Sequence, residues 1–142
     1  MAFMEKSSWV VLVVAVPTLL VYAVMVVPQV LSKPIAEVSW VGPMIVAIVG
    51  FVVANVLGNI VAAVSNPREA DRSDERDREI DHFGKRVGNW LMIAGAIAGL
   101  VLAMAMAEQF WIANAIFLGG LAASIVSSVA KIAAYRGSIP RW

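Results

Sequence analysis

Cysteine is absent from this 142-residue chain, and histidine occurs once. The first absence removes disulfides, thiolate metal sites and thiol nucleophiles. The second leaves no second imidazole for a histidine-rich metal centre. The more telling absence is that of charge. Four long runs, 9–31, 38–64, 90–107 and 110–130, contain no acidic or basic side chain. They also lack the alternation of apolar and polar positions that a membrane β-barrel requires. No run of basic residues dominates the chain, and its net charge is +1. Nothing therefore argues for a nucleic-acid partner.

What is present is hydrocarbon. The chain is 61% hydrophobic and 15% charged, with a mean hydropathy of +0.82. Soluble domains are nearer half apolar and a quarter charged. About 20 apolar residues cross roughly 30 Å of hydrocarbon, and each run approaches or exceeds that length. With no water inside a bilayer to satisfy the backbone, helices are the expected spanning form. The expected fold is an all-α integral membrane protein with four transmembrane helices in an up-down-up-down bundle. The first run is longer than a signal peptide's apolar core and has no small-x-small cleavage site, so it reads as a retained span.

Charge is concentrated instead. Thirteen of the 21 charged residues fall within residues 68–86. With both termini cytoplasmic, that side collects ten basic residues, including Lys6, Lys131, Arg136 and Arg141, against Lys33 alone outside. The bias of Lys and Arg sets orientation, so the expected location is the inner (cytoplasmic) membrane, multi-pass. Trp9, Trp40, Trp90, Trp111 and Trp142 all fall at run ends, where amphipathic indoles prefer to sit.

Asn66-Pro67 ends the second run, because proline cannot continue a helix cleanly. Ser73, followed by Asp74 and Glu75, predicts a helix start. The expected element is a cytoplasmic charged helix over 74–87 running into the third span. Asp74 with Arg78, and Asp81 with Lys85, are opposite charges at i,i+4. Ile80, Phe83 and Val87 form a narrow apolar stripe. These features make Asp74, Glu75, Arg76, Asp77, Ile80 and Phe83 candidates for docking a cytoplasmic partner, unless the stripe packs on the fourth helix near Tyr135.

The segment Asp74-Glu75-Arg76-Asp77, followed by Ile80 and then a span, resembles an uncharacterised family of small bacterial and archaeal membrane proteins. These carry Asp-Glu-Arg-Asp-x-x-Ile before a pair of helices. Tyr135-Arg136 after the last run is similar to their Tyr-Arg-Arg tail, except that Gly137 replaces the second arginine. The resemblance covers about 74–136. It implies the same topology, no established activity, and a sensory or regulatory role, since some such proteins sit beside small DNA-binding regulators.

Other constellations are weaker. Glu79-x-x-His82 has the spacing of a carboxylate-bridged metal half-site, but a di-iron core needs two such pairs. The sequence thus offers no catalytic, cofactor or metal site. Within the runs, Asn55, Asn59 and Asn114 stand out, with Ser124, Ser127 and Ser128 nearby. Amides at membrane depth seek partners between helices, and these could form either interhelical glue or a polar seam for a small channel or transporter. No run carries the carboxylate that proton coupling would need. Small residues recur every fourth position. They include Gly50 and Gly58 on the second run, Gly95 and Gly99 on the third, and Gly119 on the fourth, and they allow close helix packing in lipid. One such seam left over would serve a homo-oligomer or larger membrane complex. The expected function is a non-enzymatic membrane interaction or regulatory protein surrounded by membrane lipids.

Overall fold

The computed structural model describes residues 2–70 and 74–137. Every regular element among them is helical. Four long helices, α1 (Phe3–Ser32), α2 (Val41–Ser65), α4 (Glu75–Met104) and α5 (Gln109–Arg136), alternate in direction. A single 3-10 turn, Ile35–Glu37, and the one-turn helix α3, Pro67–Ala70, occupy the links. All four long helices are long and apolar enough to cross a membrane, and only 11–17% of each apolar window is buried within the chain. Val24, Leu31, Val64 and Leu100 are among the many large side chains left open. An exposed apolar surface of that extent suggests a multi-pass membrane protein.

The sequence places the helix ends for identifiable reasons. Asn66 and Pro67 close α2 at Ser65. The α4 start falls one residue later than the serine cap suggests. Asp74 is the N-cap, its carboxylate accepting from the Glu75 amide at 2.8 Å. Asp77 reciprocates by accepting from the Asp74 amide at 3.3 Å, completing a capping box. Ser73, Arg72, Arg141 and Trp142 lie outside the described residues. The charged segment and the third apolar run form one continuous helix of 30 residues. That helix ends at Met104 rather than Ala107, in a tight turn where Met106 adopts a left-handed φ of 54°.

The helices do not close into a four-sided bundle. The principal interfaces run α2 to α1, α1 to α5 and α5 to α4, so the molecule is a row with α2 and α4 at its ends. By far the most extensive is α4–α5. On α1 the buried positions Ser8, Ala15, Tyr22 and Val26 follow a heptad spacing, the pattern of helices packed at a shallow angle. The main apolar cluster lies at the end opposite the charged segment. There Tyr22, Val26, Val38, Met44, Ala47 and Phe110 pack together, joined by Trp40 and Phe117. Gln29 staples the α1–α2 link by accepting from the Ser39 amide at 3.1 Å.

Candidate functional site

The densest chemistry lies at the charged end, where the first turns of α4 meet the last turns of α5. Ile80 is the anchor, with no exposed surface at all. Two polar pairs flank it. The Tyr135 hydroxyl donates to Asp77 Oδ1 at 2.8 Å, and Lys131 Nζ donates to Asp81 Oδ1 at 2.7 Å. Asp81 also holds Lys85 at 2.6 Å along its own helix, the i,i+4 pair expected from sequence. The Asp81 and Lys131 side chains are 13% and 18% exposed, whereas Lys85 is 68% exposed. The cross-helix pair is therefore the better shielded and the more consequential of the two.

These groups lie beyond the apolar runs, and their titration follows from their surroundings. Burial pushes the Asp81 carboxyl upward, but hydrogen bonds and charge from Lys131 and Lys85 outweigh it and hold the group below the usual carboxylate value. Burial, reinforced by the adjacent Asp77 carboxylate, pushes the Tyr135 phenol well above its ordinary range. A further contact ties α1 in, where the Arg136 guanidinium lies 5.6 Å from the Trp9 ring centre.

Glycine makes the close approach possible. A Cβ at Gly84 would collide with the Lys131 side chain, and one at Gly88 would lie 2.7 Å from the Ala123 carbonyl oxygen. At Gly95 it would lie 2.7 Å from Gly119 Cα, and at Gly99 2.7 Å from Ile116 Cγ1. Gly95, Gly99 and Gly119 were legible in the four-residue small-residue spacing. Gly84 and Gly88 extend the same seam into the charged segment. Gly58 packs against Val10 of α1. Gly50 meets nothing within 4 Å and instead borders an apolar crevice beside Pro17 and Ala54.

The predicted docking residues divide into two sets. Ile80 is interior, Asp77 and Phe83 are partly buried, and Asp74, Glu75 and Arg76 are exposed. The apolar stripe is thus not an open surface, because Ile80 is wholly buried. The exposed face of the segment carries Arg78, Glu79, His82, Lys85 and Arg86 as well.

The three asparagines make no hydrogen bond to one another. Asn114 is buried and accepts from the Tyr22 hydroxyl at 2.6 Å, while its amide donates to the Phe110 carbonyl. It joins α1 to α5. Asn55 and Asn59 bond carbonyls of their own helix, α2, through their amide nitrogens. Asn55 Oδ1 is the one buried side-chain polar atom without a partner among the described residues. Sequence reasoning missed Tyr22. As the single tyrosine inside an apolar run it was the available signal, since a buried hydroxyl needs a partner. Among the described residues no cluster of three acidic, histidine or cysteine side chains could hold a metal. No protein-family model matches the chain, and no curated protein or solved structure does so either.

Proposed function

We propose that this chain is a non-enzymatic membrane interaction or regulatory protein, working as an oligomer or as a subunit of a larger complex. Its four long helices span the inner membrane, with both termini and the charged end in the cytoplasm. The distribution of Lys and Arg supports that orientation. One observation carries the functional reading. The first turns of α4 are fastened to α5 through Asp77 and Asp81, and Ile80 beside them is buried. The opposite face, including Glu75, Arg76, Arg78 and Glu79, is therefore presented as a fixed, solvated charge pattern. A preordered surface binds with less entropic cost than a loose loop.

The motif behind the family resemblance separates accordingly. Asp74, Asp77 and Ile80 build the helix and its packing, while Glu75 and Arg76 remain free to meet a partner. Any regulatory role would be exercised through those exposed positions. A channel or transporter using Asn55, Asn59 and Asn114 has less support, because Asn114 is engaged with Tyr22.

Gentle detergent extraction from native membranes, with the particle mass measured, tests the reading. The expected result is a particle well above the 15.2 kDa of one chain. Reversing charges with Arg76→Glu and Glu79→Arg should release any cytoplasmic partner while the protein stays inserted. A particle that runs as a single chain from native membranes would sink the proposal.

A further inference from the structure

A cleft of about 670 Å³ opens on the flank of the α4–α5 pair. Its rim is His82, Lys85, Arg86 and Asn89 from α4, faced by Ser124 and Ser127 from α5. Gly88, Gly120, Ala123 and Met92 complete the lining of this open depression. The cleft exists because the helices touch through very small residues, and the positions beside the contact are small too. Gly120 has no atom within 4 Å of where a Cβ would stand.

The lining contains no carboxylate and several hydrogen-bond donors. Arg86 makes no ion pair with any described residue. Lys85 shares Asp81 with Lys131 and is largely exposed, so its ammonium can turn to another anion at little cost. The cleft also sits where the chain changes character. Trp90, 70% exposed, lies between the charged rim and Met92, as an indole at a membrane boundary would.

We propose that this cleft binds a phosphate oxyanion, supplied by the head group of an anionic phospholipid. The phosphate sits among Lys85, Arg86 and Ser127, and the acyl chain descends past Gly120 and Met92. Arginine and lysine donors suit phosphate oxygens, and an open depression leaves room for an acyl chain to leave it, as a closed phosphate pocket would not. The proposal rests on the membrane reading above but not on any protein partner.

The test uses the full chain in nanodiscs of phosphatidylcholine, with and without phosphatidylglycerol, and lipid retention read by native mass spectrometry. The expected result is preferential retention of phosphatidylglycerol. Lys85→Gln and Arg86→Gln should each weaken it roughly fivefold, since a basic residue at a membrane surface contributes about that factor. Gly120→Leu, which fills the cleft and leaves every charge in place, should also reduce retention, with helicity unchanged. A free-phosphate source would appear as saturable protection by inorganic phosphate without phosphatidylglycerol preference, and would support the site while replacing the lipid. Equal retention of both lipids with no phosphate effect, or full retention in all three variants, would overturn the proposal. Failure of the parent to enter nanodiscs at all would instead overturn the membrane reading.

Discussion

Ile80 illustrates how much a single side chain decides. Its spacing with Phe83 was readable from sequence, but the direction of that stripe was not. An apolar residue on a charged helix fits an internal neighbour as well as an external partner, and only the position of α5 distinguishes them. Because Ile80 is wholly buried, Ile80→Ala should destabilise the charged end by about 2–4 kcal/mol. Local hydrogen exchange of the first turns of α4 would measure it, and unchanged protection would contradict the packing. The flanking pairs carry a pH signature. Asp81 titrates below its unfolded value, so its contribution is present above that value, about pH 4, and fades as acid reaches the lower folded one. Tyr135 titrates above its unfolded value, so its contribution is complete below about pH 10 and fades as the pH rises beyond that. Melting temperature against pH should therefore show a plateau with two shoulders. Asp81→Asn should remove the acidic shoulder and Tyr135→Phe the alkaline one.

At the scale of elements, the four runs were plain because lipid demands long uncharged stretches. Their ends were less so, since capping depends on which of several neighbouring polar residues takes the role. Asp74 could take it because Asp77 stands three residues on to complete the box. The glycines show a similar limit. A four-residue spacing identifies a seam but not its partner, and Gly50 and Gly95 look alike in sequence while only one is in contact. Gly95→Leu should split the α4–α5 hairpin, because the new side chain would meet Gly119 backbone. Gly50→Ala, where nothing lies within 4 Å, should instead leave folding intact and add up to about 1 kcal/mol of helix propensity. Resistance to unfolding in a denaturing detergent would rank the two, and equal behaviour would refute the seam.

For the molecule as a whole, hairpin connectivity suggested a bundle, yet the structure is a row. Sequence could not reveal this, because every helix in lipid is apolar all round and advertises no inward face. The Tyr22–Asn114 bond and the Tyr22–Phe117 ring contact at 4.9 Å place α1 against α5 toward the end opposite the charged segment. Tyr22→Cys with Phe117→Cys should therefore be bridged by a short bifunctional thiol reagent. A cysteine pair placed on α2 and α4, at the two ends of the row, should cross-link within one chain far less. Efficient α2–α4 linkage inside single chains would indicate a closed bundle instead.

The α4–α5 interface has one more consequence. Surfaces made of glycine, alanine and serine are smooth, and their repeat is close to one helical turn. If one helix slipped along the other by about 5.4 Å, small residues would again meet small residues, at little loss. Apolar contact alone thus specifies nearness but not alignment. Asp77 and Asp81 lie one turn apart on one helix, and Tyr135 and Lys131 lie one turn apart on the other. A one-turn slip would bring at most one mismatched couple together and leave the other carboxylate without its partner on α5. The two bonds act as the teeth of a ratchet, giving an otherwise sliding joint a single resting notch.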